Sequence, residues 1–254
     1  MIEYMKNIGM IGYQDYTFGK IVGYARDNPR VKYFMFREPR IIVADRIDKR
    51  GIDVSVPMGE VTDDDWRRCC SIREMSVINK DTSILDFGCG GGGFVSLMND
   101  CYCVGYDIGY DTKYTESKYD IITLFHVFEH LADPVGEIEF LKHLLNPGGR
   151  FVIEIPSADD FLLHCKAFRD FTLWSEHLVL YSAQAMQKML EFMSLEVTDL
   201  RYIQRYNFNN HYGWIKDGKP GGHTRYNFDS DICNNYESML VSSGQTDTLW
   251  IVAQ

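Results

Sequence analysis

Short apolar runs alternate with amphipathic segments through the middle of the chain, and this pattern predicts strands and helices in turn. Mostly apolar runs are typical of buried strands, and they occur at 83–87, 102–107, 119–125 and 151–155. A helix is predicted to begin at Asp133-Pro134, because Asp caps a helix and Pro suits its first turn. Strands that alternate with helices across short loops predict an α/β fold, with a mostly parallel sheet covered on both faces.

The two ends of the chain follow other patterns. Residues 1–80 are irregular and aromatic, apart from a helix expected to run from Asp63 towards Asn79. Near the C-terminus, strands are expected at 195–206 and 248–253, separated by a segment rich in Asn, Gly, His and Tyr. We therefore predict an N-terminal extension over 1–80 on the substrate side, and a main domain over 81–254 that carries an insertion at 207–245.

Charge and composition narrow the classes of partner. The chain has 26 Lys and Arg against 36 Asp and Glu, a net charge of −10, which argues against binding nucleic acid through phosphate neutralisation. Its start has no signal-peptide pattern, and no run of eighteen apolar residues predicts a membrane span. The seven cysteines form no paired zinc-ligand spacing. We expect a cytoplasmic protein with reduced thiols, acting on a small molecule, and we leave a homodimer open.

The glycine-rich stretch DFGCGGGGF at 86–94 follows the first predicted strand. Glycines at this position let the backbone approach a ligand outside the carboxyl ends of parallel strands. The next strand ends in Asp107, and a carboxylate there can accept hydrogen bonds from both hydroxyls of a ribose. The loop and this acid predict a site for a nucleoside-bearing cofactor. The pattern DxGxGxG differs from the GxGxxG of dinucleotide-binding dehydrogenases.

Five motifs, two of them described above, occur one after another along this part of the chain. They are DFGCGGG at 86–92, Asp107, HVFEHLADP at 126–134, LLNPGGRFVIEIP at 144–156 and EHLVLYS at 176–182. In order and spacing they resemble the motifs of class I S-adenosylmethionine-dependent methyltransferases, over about residues 80–190. The resemblance implies a Rossmann-like, seven-stranded, mostly parallel sheet with helices on both faces. It also implies S-adenosylmethionine as the methyl donor and S-adenosylhomocysteine as the product.

The resemblance further implies which residues bind the donor. Asp86 is expected to orient the loop or meet the donor's amino group, and Asp107 to bind the ribose. The remaining contacts, to the methionine, ribose, adenine and sulfonium parts, are implied for Gly88, Gly90, Gly92, Ile108, Phe125 and His126.

His126, Glu129 and His130 are spaced so that a helical turn would place them on one face. In a quinone-biosynthesis branch of the same family, a similar cluster with an acid in place of His126 holds a divalent ion. Histidine at this position weakens a magnesium hypothesis, because magnesium prefers oxygen ligands. We expect no metal here and keep an ion at these three residues as the alternative. We expect Glu129 to brace the turn.

The acceptor site must be built from segments outside the shared core, and the insertion is the main candidate. Aromatic rings with amides and cations suit a sugar that carries a phosphate. Its glycines at 213, 218, 221 and 222 predict a flexible lid that orders on acceptor binding. The candidate substrate-binding residues are Glu176, His211, Trp214, His223 and Arg225. The arrangement resembles bacterial methyltransferases of nucleotide-linked sugars in polysaccharide biosynthesis.

A hydroxyl acceptor requires a base that removes its proton. We expect His177 to be this base, with Glu176 or a backbone carbonyl fixing its tautomer, and His130 or Tyr110 as reserve candidates. The first hypothesis is therefore methyl transfer to a hydroxyl of a nucleotide-activated sugar such as a heptose. Methylation of a sugar carbon, methylation of a quinone or phenol, and a catalytically silent donor-binding protein are the alternatives.

Overall fold

The computed structural model describes residues 61–107, 117–173, 177–222, 226 and 228–254. Its helices are α1 Asp63–Met75, α2 Gly93–Leu97, α3 Pro134–Lys142, α4 Lys166–Leu173, α5 Ala183–Phe192, α6 Phe208–Asp217 and α7 Ser230–Ser243, with short 3₁₀ turns at Phe128–His130 and Phe161–His164. Its strands are β1 Ser83–Phe87, β2 Tyr102–Tyr106, β3 Tyr119–Phe125, β4 Leu145–Pro156, β5 Val197–Ile203 and β6 Thr248–Ala253.

The strands form one sheet in the order β2-β1-β3-β4-β6-β5. β1 pairs in parallel with both of its neighbours, and Asp86 lies in register with Gly105 of β2 and Thr123 of β3. The predicted α/β architecture with parallel pairing is confirmed, with six strands in the described part of the chain where seven were expected. Parallel strands end at one edge of a sheet, so the residues after β1, β2 and β3 lie near one another.

Local sequence signals account for the helix starts. Thr62 caps α1 through a capping box with Asp65, in which the Thr62 hydroxyl accepts from Asp65 N at 3.2 Å. Asp133 caps α3, with Pro134 at its first position, as predicted. The helix from Asp63 ends at Met75, four residues before the expected end.

Strand β4 begins at Leu145, before the apolar run at 151–155 from which the strand was predicted. A Cβ on Gly149 would lie 3.1 Å from the carbonyl oxygen of Tyr119 at the start of β3. Gly148 has φ +78°, a conformation that favours glycine. The glycines therefore permit close backbone approach beside β3, and the chain enters the strand earlier than its apolar run begins.

The chain divides into two compact units. Among described residues, the first unit holds 61–127, 133–153 and 252–254, and the second holds 128–132 and 154–251. None of the helices in the described ranges combines the length and the apolar character needed to cross a bilayer.

The described part of the insertion contains the two helices α6 and α7. A Cβ on Gly213 of α6 would lie 2.3 Å from Gly221 N, and one on Gly221 would lie 1.9 Å from the Asn209 carbonyl oxygen. These two glycines therefore allow a tight packing contact between α6 and the segment that follows it. The ordering of this segment on acceptor binding stays a prediction.

Candidate functional site

The glycine loop of the first unit bends sharply away from the end of β1. Both Gly88 N and Cys89 N donate to the carbonyl oxygen of Tyr106 on β2, at 2.7 and 2.9 Å. Gly88 and Gly90 have φ values of +84° and +52°, and Gly92, with φ +74°, is the N-cap of α2. Alternate glycines therefore supply the left-handed turns that bring this loop over the end of the sheet.

Asp107, directly after β2, holds this loop through its side chain. Its Oδ2 accepts a hydrogen bond from Gly90 N at 2.9 Å. An ionised carboxylate has about four lone-pair sites, so an Asp that accepts from Gly90 can also accept from a ribose. The predicted ribose acid and the predicted glycine loop are thus in direct contact.

Gly88 and Gly90 provide a matched test of the loop. A Cβ on Gly88 would lie 2.2 Å from Cγ2 of Val127, whereas nothing lies within 4 Å of one on Gly90. Valine is stiff at χ1, so it cannot move aside at low cost. We expect Gly88→Ala to lower the free energy of unfolding by about 2–5 kcal/mol, and Gly90→Ala by only the left-handed cost of about 1–2 kcal/mol. Equal losses in urea denaturation would contradict this packing.

Asp86 is buried at the end of β1 and is held by β3. Its exposed fraction is 2 %, and the Thr123 hydroxyl donates to its Oδ1 at 2.6 Å. Burial raises the pKa of Asp86 to about 7, although the Thr123 hydrogen bond and the charge of Arg68 oppose this rise. Near neutral pH this carboxyl group is therefore poised to ionise when a cationic ligand group approaches it.

Replacing Asp86 by Asn tests this raised pKa. Native Asp86 keeps its proton between about pH 4 and 7 while the unfolded chain releases it, so this group lowers stability as pH rises through that window. We expect Asp86→Asn to be more stable than the wild type by about 2–4 kcal/mol at pH 8 and nearly equal at pH 4. Urea denaturation at both pH values measures this difference. A difference that does not change with pH would show that Asp86 is not protonated in the fold.

The residues at the end of β3 combine an aromatic ring with a strained backbone. Phe125 is buried and packs edge-on against Phe94 of α2, with ring centroids 5.0 Å apart. His126 has φ +55°, which costs a non-glycine residue roughly 1–2 kcal/mol. Such strain is concentrated at functional sites. Phe125 is the last residue of β3 and His126 follows it, so both lie beside β1, the strand that carries Asp86.

A second polar cluster lies in the second unit and is built on Glu129, His130 and His177. The Glu129 carbonyl oxygen accepts from Leu178 N at 2.9 Å, which fixes the 3₁₀ turn beside the segment that carries His177. Nε2 of His130 and Nε2 of His177 each lie 3.9 Å from Glu129 Oε1. The Glu129 side chain has no exposed surface, and the two histidine side chains are about one-fifth exposed. A buried carboxylate thus supports two partly accessible imidazoles.

Tyr181 closes the buried side of this cluster. It is fully buried, and its ring packs edge-on against Phe128 at a centroid distance of 5.3 Å. Burial and the charge of Glu129 raise the pKa of the Tyr181 hydroxyl. Glu129 was expected to brace the turn. Its carboxylate also faces both histidines. Ser182, next in the chain, caps α5 by accepting from Ala185 N at 3.1 Å.

The same cluster could hold a metal ion. One donor atom from each of Glu129, His130 and His177 lies within 4.8 Å of the others. Two imidazoles and one carboxylate suit zinc or ferrous iron better than magnesium. The metal alternative expected His126 in this set, and the grouping among described residues contains His177 instead.

His211 and Trp214, two predicted substrate-binding residues, face the interior of the second unit. His211 is fully buried, its Nδ1 lies 2.9 Å from the Tyr236 hydroxyl, and burial lowers its pKa to about 4. Trp214 is 6 % exposed and packs against Phe168 and Phe171 of α4. These placements favour structural roles for both side chains, because neither presents its ring to solvent.

Five predicted site residues lie outside the described residues, namely Ile108, Tyr110, Glu176, His223 and Arg225. Thr123 and Arg68 were not among the site residues predicted from the sequence. Arg68 could have been noticed from its place in α1, one residue before the buried Cys69. Thr123 carried no such signal, because a threonine inside an apolar strand is ordinary.

The chain is similar to known proteins in sequence and in fold. A family model described as a methyltransferase domain matches residues 64–200, more than half of the 254 residues. One similar solved structure comes from the Haloferax volcanii complex between the Trm112 methyltransferase activator and a methyltransferase. It is 14% identical with a TM-score of 0.50, over 75% of this chain and 90% of that one. A SAM-dependent methyltransferase from Archaeoglobus fulgidus is 14% identical with a TM-score of 0.48, over 74% of this chain and 93% of that one. No curated protein sequence matches the chain.

Proposed function

We propose an acceptor for this chain, which belongs to the methyltransferase domain family and is an S-adenosylmethionine-dependent methyltransferase. The acceptor is a hydroxyl group of a nucleotide-activated sugar, such as a heptose, used in surface-polysaccharide biosynthesis. The observation that carries this proposal is the cluster of Glu129, His130 and His177, because a hydroxyl acceptor needs a group that takes its proton.

The proposed donor site comprises the loop from Gly88 to Gly92 together with Asp86, Asp107, Phe125 and His126. Asp107 accepts from the ribose hydroxyls while it holds Gly90, and the glycines leave room for the backbone to contact the donor. Bound S-adenosylmethionine would supply an electrophilic methyl group on a sulfonium. The protein's task is then to align the acceptor oxygen with that methyl group.

In the proposed reaction the acceptor oxygen forms a bond to the methyl carbon as the carbon–sulfur bond breaks. The electron pair of that bond stays on sulfur, so the product is the neutral thioether S-adenosylhomocysteine. The acceptor proton passes to the imidazole of His177, and the carboxylate of Glu129 stabilises the resulting imidazolium. The orienting role predicted for Glu176 or a backbone carbonyl stays a prediction, because Glu176 lies outside the described residues.

A surface group on α6 supports a sugar phosphate as the acceptor. Nζ of Lys216 lies 5.5 Å from the ring centroid of Tyr212 and 5.2 Å from that of Tyr226. The Tyr226 hydroxyl donates to Asp217, which holds that ring in place. Aromatic faces with a cation suit stacking on a sugar or base beside a phosphate.

Phenol or quinone methylation is the second candidate, and the metal-ligand geometry of Glu129, His130 and His177 favours it. One experiment separates the two. The protein is incubated with methyl-labelled donor and a panel of nucleotide sugars, the matching free sugars, and quinols, with and without a chelator. Mass spectrometry that finds the label on a nucleotide sugar, insensitive to chelation, supports the first proposal. Label only on quinols, or lost with the chelator, would refute it.

A further inference from the structure

A buried hydrogen-bond network in the second unit begins at Asp247, directly before β6. Its carboxylate accepts from Arg205 N at 3.0 Å, from Tyr206 N at 2.9 Å and from the Thr248 hydroxyl at 2.7 Å. The side-chain amide of Gln204 donates to Asp247 Oδ2 at 2.7 Å. Asp247 therefore fixes the position of the Gln204 amide directly after the end of β5.

The Gln204 amide determines which nitrogen of His211 carries a proton. The amide nitrogen lies 3.0 Å from Nε2 of His211 and 2.7 Å from the carbonyl oxygen of Tyr206. The reverse amide orientation would set its oxygen against the acceptor oxygens of Tyr206 and Asp247, so the nitrogen faces them. Because an amide nitrogen donates and does not accept, Nε2 of His211 is an acceptor without a proton.

His211 passes this order on to Tyr236 of α7. Nδ1 of His211 lies 2.9 Å from the Tyr236 hydroxyl oxygen. Burial lowers the pKa of His211 to about 4, so near pH 7 the ring is neutral and its single proton is on Nδ1. His211 therefore donates to the Tyr236 oxygen, and the hydroxyl's own hydrogen is directed away from His211. Among the described residues, His211 is the hydrogen-bond partner of this hydroxyl.

The network borders the polar cluster that carries the proposed base, His177. Ser157, the residue that follows β4, pairs with Tyr181, which closes the buried side of that cluster. Ser157 N also donates to the Asp247 carbonyl oxygen at 2.9 Å. The network and the cluster are thus both held at the end of the same strand, within one compact unit.

The ring of Tyr236 is half-buried among aromatic side chains. Its centroid lies 4.8 Å from that of Phe208 on α6 and 6.3 Å from that of Phe161. Phe161 directly follows Asp160, whose side chain is buried. Burial, together with the charge of Asp160, raises the pKa of Tyr236 to about 12. The hydroxyl therefore keeps its hydrogen near neutral pH and can donate it.

We infer that Tyr236 donates a hydrogen bond to an oxygen of the acceptor's sugar. This inference rests on the proposed acceptor, a nucleotide-activated sugar, and makes His211 a positioning residue that acts through Tyr236. A sugar offers neutral ether and hydroxyl oxygens that accept such a bond. The phosphates of the same molecule suit Lys216 better, because the Asp160 carboxylate beside Phe161 would repel an anion at Tyr236.

The alternative is that Tyr236 only joins α7 to His211, and ligand pairs separate the two roles. Affinities are measured by calorimetry for GDP-mannose, UDP-glucose and a nucleoside-diphosphate heptose, each paired with the diphosphate that lacks the sugar. We expect Tyr236→Phe to weaken binding of the nucleotide sugar that the wild type binds best by roughly 3–12-fold, the equivalent of one neutral hydrogen bond. Binding of the matching diphosphate should change less than about twofold.

Two further variants make the result specific. His211→Phe keeps Tyr236 and removes the group that directs its hydroxyl, so we expect a smaller loss that is again confined to the sugar-bearing ligand. The double variant should lose no more affinity than Tyr236→Phe alone. Tyr202→Phe removes the hydroxyl of a tyrosine whose ring lies beside Gly244, and should leave both affinities unchanged.

Urea denaturation shows whether each variant is folded. If Tyr236→Phe proves unfolded, selective loss of the sugar-bearing ligand in His211→Phe carries the same conclusion. Equal losses for both ligands in folded Tyr236→Phe, or no loss for either, would overturn this inference and leave the proposed acceptor standing. A wild-type protein that binds none of the nucleotide sugars would overturn the proposed acceptor, and this inference with it.

Discussion

Replacing Asp107 with alanine is expected to weaken S-adenosylmethionine binding by about 100-fold or more. Each hydrogen bond to a charged group contributes about 1.5–3 kcal/mol, and the ribose would lose two of them. Every 1.4 kcal/mol corresponds to about tenfold in affinity. The same substitution removes the acceptor of Gly90 N, so the glycine loop also loses one of its hydrogen bonds to the end of β2. Calorimetric titration of the donor measures the loss.

Two further variants make the Asp107 result specific. Asp107→Asn keeps an oxygen that can accept from Gly90 N, and we expect a smaller loss because the charge is absent. Asp100→Ala removes another carboxylate of the first unit, one that pairs with Arg73 at 2.8 Å on the surface, and should leave donor affinity unchanged. Unchanged affinity in folded Asp107→Ala would remove Asp107 from the donor site.

The second large effect is expected from His177→Ala, which should lower kcat by about 10²–10⁴-fold, the range for loss of a general base. His177→Asn should behave alike, because an amide cannot take up the proton. Donor affinity should remain nearly intact in both, since His177 is not part of the proposed donor site. His143→Ala, in a histidine bonded to the Glu139 carbonyl oxygen, is the matched control and should keep full activity.

Glu129 allows the same role to be tested through a positioning residue. Glu129→Gln keeps the shape of the side chain and removes the charge that faces His177. We expect it to lower kcat and to shift the pH profile of kcat to lower pH, because the imidazolium loses its stabilising carboxylate. In the double variant with His177→Ala the effects should not add.

A loss smaller than about tenfold in His177→Ala would move the role to His130, or would mean that alignment alone carries the reaction.

The sequence alone determined the first three strands and the glycine loop. The strand at Tyr119–Phe125 and the cap at Asp133 agree with the structure to the residue. These features are local, since apolar runs, capping residues and glycine spacing act between near neighbours in the chain. The contact of Asp107 with Gly90 could also be predicted from the sequence, because parallel strands bring their carboxyl ends together whatever their other contacts are.

Only the tertiary structure decided which distant side chains meet. His177 joins Glu129 and His130 because backbone hydrogen bonds hold the two segments together, and no local pattern records that pairing. His211 and Trp214 show the reverse case. The sequence does not show whether a histidine or a tryptophan is exposed or buried, and the structure shows that these two are buried against Tyr236 and Phe168. The physical reason is that residue type determines what a side chain can do, while the chemistry it performs depends on neighbours that folding brings from elsewhere in the chain.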